Sequence, residues 1–218
     1  MSDPARTLAA MAQLELDLPQ WGGKRRGAGR KRRETLRRVP HRKRKHFRWK
    51  PLHVTIRMRR EVWSLRTRRS FRALKRAFAK GCERFGFRLV HFSVQWNHLH
   101  LVVEAPDQVQ LARAMKGLGV RIARAFNKTM RRRGQVIAHR YYARILKTPP
   151  EVQFAILYLL HNRTHHAARE GWFLPAHYLD PLTSEATRGH DPPLTAPPRL
   201  WLLRLDWRRT GDGESDAC

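Results

Sequence analysis

Two histidines, His98 and His100, lie in a stretch whose alternating residues predict a β-strand over residues 98–105. Alternate side chains of a strand point to the same face, so the two imidazoles lie side by side while Leu99 and Leu101 point into a core. Imidazole is a common ligand of divalent metals, and these two would supply two ligands from one rigid face. Because an isolated His-x-His pair is more often a plain surface feature, the prediction of a metal site depends on what else the chain brings to it.

A second pair of polar residues, Tyr158 and Asn162, lies four positions apart in a segment predicted to be helical. This spacing places both side chains on one helix face. An activated tyrosine hydroxyl is a nucleophile, and next to a metal held by two histidines it could cut one strand of DNA. The alternative is a core tyrosine between Leu157 and Leu159, but the polar partner one turn away indicates that this face is not core.

The charge of the chain is strongly positive, with 46 Lys and Arg residues against 17 Asp and Glu residues and a formal net charge of +29. A polyanion is the expected partner, and nucleic acid fits better than a membrane because the most basic segment lacks an apolar face. The longest apolar run, residues 154–160, is too short to span a bilayer, and the first residues lack a signal-peptide pattern. We therefore expect a cytoplasmic, nucleoid-associated protein. Cys82 and Cys218 predict neither a disulfide framework nor a zinc site.

Residues 1–50 are predicted to form a basic, largely disordered arm, because charge repulsion and few apolar residues oppose a packed core. One interpretation is that the arm follows DNA phosphates, and the other is that it only aids solubility. The arm residues predicted to contact DNA are Lys24, Arg25, Arg26, Arg30 and Lys31.

Hydrophobic periodicity and capping residues predict the elements that must position these side chains. They follow one another as strand 52–58, helix 64–85, strand 87–95, strand 98–105, helix 107–133, strand 135–147 and helix 149–168. This order is typical of an α+β, ferredoxin-like fold with a split β-α-β core, an antiparallel sheet and a C-terminal catalytic helix. We expect helices on one face of the sheet and a free second face. The extension over residues 169–218 is predicted either to wrap the domain or to end in disorder.

The Asn-His-x-His strand, a glycine-bearing helix and the Tyr-x-x-x-Asn helix occur in a fixed order, and in this order they resemble the HUH transposases with a single catalytic tyrosine. The resemblance is greatest to the REP-associated tyrosine transposases, and it identifies residues 51–168 as a catalytic domain. Gln95-Trp96 and Arg163-Thr164 depart from the Met-Pro and Pro-Val usual in the family. The matching pieces are His53-Val54-Thr55 with Arg57, Asn97 to Val103, Gly117 to Gly119, Ala125 to Asn127, Arg140 to Tyr142 and Tyr158 to Arg163.

The resemblance implies a metal-dependent enzyme that nicks and joins single-stranded or hairpin DNA. Tyr158 would attack a phosphodiester, leaving a 5′-phosphotyrosine on the enzyme and a free 3′-hydroxyl. His98, His100 and the side-chain oxygen of Asn162 would bind the divalent cation, Mg²⁺ or Mn²⁺. REP-type hairpins are the implied substrates, and a homodimer is implied in which the tyrosine helix of either protomer completes a site.

Several other polar residues have two interpretations each. His53 either faces the site behind the metal ligands or lies at a strand edge, and Glu104 is either an extra acidic ligand or a cap at the strand end. The cluster of His161, His165 and His166 is interpreted as solvated or in contact with phosphate. The residues that are either DNA contacts or exposed surface charges are Arg57, Arg121, Arg124 and Arg140.

Two other functions use the same features. The first is a non-catalytic nucleic-acid-binding protein that keeps the fold, although such a module has no need of Tyr158. The second is a replication initiator or relaxase, which often has a third metal histidine.

Overall fold

The computed structural model describes residues 45–175 and 177–205. In chain order the elements are β1 (Arg48–Arg57), α1 (Arg68–Ala79), β2 (Glu83–Arg84), β3 (Phe87–Val94), β4 (His98–Asp107), α2 (Gln108–Thr129), β5 (Tyr142–Ile145), α3 (Pro149–Arg169) and α4 (Trp201–Arg204).

The five strands form one antiparallel sheet in the order β2-β3-β4-β1-β5. Strand β1 lies between β4 and β5, with Thr55 opposite His100 and Arg57 opposite His98. The predicted α+β class and split β-α-β order are confirmed. Strand β1 begins at Arg48, three residues before the predicted start of the folded domain at residue 51.

Strand β4 separates the main core from the site face. Leu99, Leu101 and Val103 are fully buried in the core that α1 and α2 cover, as their alternation predicts. His100 and Val102 belong to the opposite face, and Val102 packs in a second apolar cluster with residues of α3.

Helix α2 begins where the sequence predicts. The side chain of Asp107 accepts the backbone N–H groups of Val109 and Gln110 at 2.7 and 2.8 Å, which satisfies two donors of the first turn. The helix ends at Thr129, whereas the prediction extended it to residue 133.

Helix α3 begins at a strong local signal. Thr148 is the N-cap, prolines occupy the first two helical positions, and the Glu151 carboxylate accepts the backbone N–H of Lys147 at 2.6 Å. Its buried residues Val152 and Ile156 pack in the second cluster, on the face that carries His100. The prediction of a free second sheet face is therefore wrong: α3 has its own apolar stripe, and the sheet has apolar residues between its polar ones to receive it.

Two predicted elements are shorter in the structure. Helix α1 begins at Arg68 because the side chain of Thr67 caps it, and the chain beyond it returns to the sheet as β2. The strand predicted over residues 135–147 is ordered as a strand only in β5, because β1 offers a pairing partner only from Leu52 to Thr55. Ile137 forms no more than an isolated bridge with Met58.

The described part of the C-terminal extension wraps the domain, which is one of the two predicted alternatives. It runs along the outer edge of β3, where its backbone supplies the hydrogen bonds that an edge strand lacks. These bonds join the N–H of Val94 to Leu182 O, the N–H of Ser184 to Phe92 O, and the N–H of Ala196 to Leu89 O.

Two side chains anchor this segment. The Arg66 guanidinium donates two hydrogen bonds of 2.8 Å to the Asp180 carboxylate. Glu104 is buried, and its carboxylate accepts the backbone N–H groups of Arg199 and Leu200 at 2.8 to 3.0 Å. Glu104 is therefore neither an extra acidic ligand nor a cap at the strand end, and both predictions are wrong. Its carboxylate is hydrogen-bonded to a chain segment that is distant in sequence, at the start of α4.

Among residues 45–175 and 177–205, no helix is both long and apolar enough to cross a membrane.

Candidate active site

His98 and His100 lie side by side on β4, with ring centres 4.8 Å apart and planes at 87°. The Nδ1 atom of His98 is 2.9 Å from Oδ1 of Asn97. Because that oxygen can only accept, Nδ1 of His98 carries the proton and its Nε2 keeps a lone pair. The turn residue before the strand thus sets the tautomer that a metal ligand needs.

His100 is oriented from the neighbouring strand. Its Nδ1 is 3.0 Å from Nε2 of His53 and 3.4 Å from the hydroxyl of Thr55, both on β1. If Nδ1 of His100 donates to His53, Nε2 of His100 has a free lone pair directed away from β1. His53 therefore faces the site behind the pair of His98 and His100, which was one of its two predicted positions.

Tyr158 lies over the rings of His100 and His53. Its ring centre is 5.2 Å from that of His100 and 6.0 Å from that of His53, in edge-to-face arrangements. The side chain is 44% exposed, so it is not the core tyrosine of the alternative interpretation.

Asn162 and His166 continue the face of α3 that carries Tyr158, because each follows at a spacing of four residues. The ring of His166 lies 6.3 Å from that of His98. Tyr158 and His166 therefore flank the histidine pair, and Asn162, which is 1% exposed, lies on the turn between them. The interpretation of His166 as only solvated or phosphate-bound missed this placement, although its spacing from Asn162 was a usable signal.

Two buried atoms of this site lack hydrogen-bond partners among the described residues: Nε2 of His100 and Oδ1 of Asn162. Leaving a buried polar atom unpaired costs about 1–3 kcal/mol, and a bound cation is one partner that would satisfy both atoms. An imidazole nitrogen and an amide oxygen are both suitable ligands for a divalent cation, so the donor set fits one.

The described part of the chain holds no group of three or more His, Cys, Asp or Glu side chains arranged for a metal ion.

The electrostatics keep the histidines neutral. Burial lowers the pKa of His100 to about 3, with further lowering by His98, His53 and His166. Burial likewise lowers the pKa of His98 to about 4, and His166 and Arg57 add to the effect. The pKa of His53 falls to about 4 through burial and the charge of Arg144. At neutral pH all three imidazoles are uncharged, which is the form that ligates metal.

The four arginines predicted as DNA contacts fall into two groups. Arg57 is exposed opposite His98, and Arg140 is exposed before β5. Arg121 and Arg124 lie on α2, in the helix layer behind the other face of the sheet. Arg121 packs within that layer, close to Gly81 and Gly117. The structure thus brings Arg57 to the histidines and keeps Arg121 and Arg124 away. The predicted contacts of the arm lie outside the described residues.

Comparison with known proteins identifies a family for this chain and a similar fold. A family model described as "Transposase IS200 like" matches residues 37–153, more than half of the chain; the match includes His98 and His100 and ends before Tyr158. A solved REP-associated tyrosine transposase bound to a REP hairpin is similar in fold, with a TM-score of 0.50 and 14% identity over 62% of this chain and 76% of that chain. A putative transposase from Deinococcus radiodurans R1 gives a TM-score of 0.39 and 16% identity over 62% and 98% of the two chains. Comparison with curated proteins gives no match.

Proposed function

Because the chain belongs to the IS200-like transposase family, we propose that it nicks and rejoins single-stranded or hairpin DNA through a covalent bond to Tyr158. The observation that carries this proposal is the placement of an exposed Tyr158 beside His100 and His53. A module that only binds DNA has no need of a nucleophile at this point. That module is the alternative function.

The chain's own ligands for a divalent cation would be Nε2 of His98, Nε2 of His100 and Oδ1 of Asn162. The two unpaired buried atoms support this assignment. When bound, Mg²⁺ or Mn²⁺ would withdraw negative charge from a phosphate oxygen and hold the phosphate for in-line attack. His53 keeps His100 in the required tautomer, and Asn97 does the same for His98.

The reaction exchanges one phosphodiester bond for another. The hydroxyl oxygen of Tyr158 forms a bond to phosphorus and gives up its proton, while the bond from phosphorus to the 3′ oxygen breaks and that oxygen takes up a proton. The products are a 5′-phosphotyrosine and a free 3′-hydroxyl. Since the phosphotyrosine keeps the bond energy, attack by a 3′-hydroxyl reverses the step and joins strands.

The proximity of Tyr158 to the histidines of its own chain supports attack in cis. A homodimer would then not be needed to complete a site, although it stays part of the proposal. On the site face, Arg57 would contact the DNA backbone, and the basic arm would add phosphate contacts. A hairpin substrate is proposed because the similar transposase was solved with one. This function places the protein with DNA in the cytoplasm.

The proposal is tested with a pool of labelled DNA hairpins that carry randomised single-stranded arms. Full-length protein is incubated with the pool and Mn²⁺ or Mg²⁺, and covalent adducts are separated on a denaturing gel and sequenced. We expect an adduct that needs the metal and is lost in Tyr158→Phe, while Tyr178→Phe, a change at a tyrosine of the C-terminal extension, keeps it. Salt-sensitive binding with no adduct on any hairpin would contradict the proposal and favour the binding module.

A further inference from the structure

A cavity of about 630 Å³ opens beside Tyr158, and its lining includes His53 but neither His98 nor His100. We call it the α3 cavity: α3 forms one wall, and His53 and Arg144 of the sheet contribute the other. Its α3 side chains include Phe154, Tyr158, His161 and His165, which form one continuous stripe of the helix. Tyr158 therefore belongs both to the site and to the wall of this cavity.

Phe154 belongs to neither apolar cluster of the fold. Its side chain is 72% exposed, one helical turn before Tyr158, while the core side of α3 is formed by Val152, Ile156 and Leu159. A large exposed aromatic ring on the wall of a cavity is a stacking surface, and base stacking on such rings is a general mode of single-strand binding.

The other walls fit the rest of a nucleotide. Leu146 and Leu157 add apolar surface, while Arg144 and the two histidines His161 and His165 supply donors at the rim. Arg144 lies 3.4 Å from the carboxylate of Glu151, which also lines the cavity, and this exposed ion pair balances the carboxylate charge there. These walls complement a flat apolar group with an attached anion. The volume of the cavity is within the usual ~300–1,000 Å³ of small-molecule sites. A duplex is too wide for it.

We infer that the α3 cavity binds one unpaired nucleobase of the DNA strand, stacked on Phe154, at the nucleotide next to the phosphate that Tyr158 attacks. The inference rests on the proposed function for the position of that nucleotide, because Tyr158 lines both sites. Seating this base fixes which phosphate reaches the tyrosine. Phe154 is thus a positioning residue that selects the point of the nick.

The test measures equilibrium binding without metal or cleavage. A fluorescent hairpin with single-stranded thymidine arms is titrated with full-length protein by anisotropy, and one abasic site is moved through the arms, since the hairpin fixes their register. For wild type we expect affinity to fall about 5- to 100-fold at one position only, as loss of one stacked base predicts. Phe154→Ala should bind the intact DNA weaker by a similar factor and show no loss at that position, while Phe154→Trp restores it. The matched control is Phe173→Ala, an aromatic residue that is 91% exposed and outside the cavity.

A wild-type profile with no sensitive position, or the same selective loss in Phe154→Ala, would overturn the inference. Adducts mapped in the first assay add a second check, because the sensitive position must adjoin the nick. The two proposals fail separately. A Tyr158-dependent adduct with a uniform abasic profile would support the nicking function and contradict the base site. Phe154-dependent selectivity without any adduct would support the base site and contradict the nicking function.

Discussion

At the scale of single residues, the candidate site depends on which nitrogen of each histidine carries a proton. Asn97 and His53 both act on Nδ1 of their partners, so the two Nε2 atoms share one role although a turn residue orients one ring and a neighbouring strand orients the other. Outer hydrogen bonds of this kind orient metal ligands and raise their basicity. The departure from the family at Gln95-Trp96 leaves Asn97, the residue that orients His98, in place.

The orienting function of His53 makes a graded prediction for metal affinity. His100→Ala should abolish Mn²⁺-dependent thermal stabilisation, because a ligand is lost. His53→Ala should weaken Mn²⁺ binding about 10- to 100-fold, while His53→Gln keeps an acceptor for His100 and retains most of the affinity. Calorimetric titration with Mn²⁺ measures this, with His139→Ala as an exposed control. Equal affinity in His53→Ala and wild type would contradict the orienting function.

The lowered histidine pKa values predict the pH dependence of stability in the metal-free protein. Unfolded histidine has a pKa near 6.5, against about 4 for His98 and His53 and about 3 for His100 in the folded chain. Between these values the unfolded state binds more protons, so the free energy of unfolding rises with pH. The contribution is complete above 6.5 and is lost as the pH falls toward the folded values. Urea midpoints should be lower at about pH 5 than at about pH 7.5, and His100→Gln should reduce the difference; an unchanged difference would argue against burial as the cause.

At the scale of elements, α3 places its polar site residues beside its packing residues. Tyr158, Asn162 and His166 border the apolar stripe that packs on the sheet, and Asn162 is as buried as that stripe. The position of Tyr158 relative to β4 is therefore set by ordinary side-chain packing.

The packing of α3 predicts very different losses of stability for two substitutions that lie two residues apart. Ile156→Ala should lower the free energy of unfolding by about 2–5 kcal/mol, because it leaves a cavity in the second cluster. Phe154→Ala should change it by no more than about 0.5 kcal/mol, since the ring is mostly exposed. Chemical denaturation of both variants measures this. A large loss in Phe154→Ala would show that the ring has a structural function.

At the scale of the whole molecule, the C-terminal extension closes the edge of β3 and is fixed by buried groups. Asp180 is 1% exposed and accepts a hydrogen bond from Arg66. The carboxylate of Glu104 accepts a hydrogen bond from the backbone N–H of Leu200 at the start of α4. Removing one partner of a buried ion pair leaves an uncompensated charge, which is costly. The high positive charge is compatible with a large polyanion covering much of the surface.

We predict that Asp180→Ala loosens this extension. The backbone N–H groups of Val94 and Ser184, which bond across the edge, should exchange with deuterium faster than in wild type. Those of β4, which pair with strands on both sides, should keep their protection. Hydrogen exchange by mass spectrometry measures this, with Glu61→Ala, which removes an exposed ion pair with Arg59, as the control. Uniform acceleration in both regions would instead indicate global destabilisation.

The sequence by itself determined the local geometry of this protein. The period of a strand places His98 beside His100, the period of a helix places Tyr158 on the face of Asn162, and the caps Asp107 and Thr148 set where two helices begin. These features depend on backbone geometry over a few residues, so they can be deduced from spacing. The order of elements was enough to predict the split β-α-β sheet.

Only the tertiary structure decided how these parts meet. The approach of His53 to His100, the packing of α3 on the histidine face and the bonding of Glu104 to Leu200 join residues far apart in the chain. Such contacts follow from which apolar surfaces pack together, and periodicity leaves that choice open. The α3 cavity exists only between an element from each end of the domain, so no local pattern could reveal it.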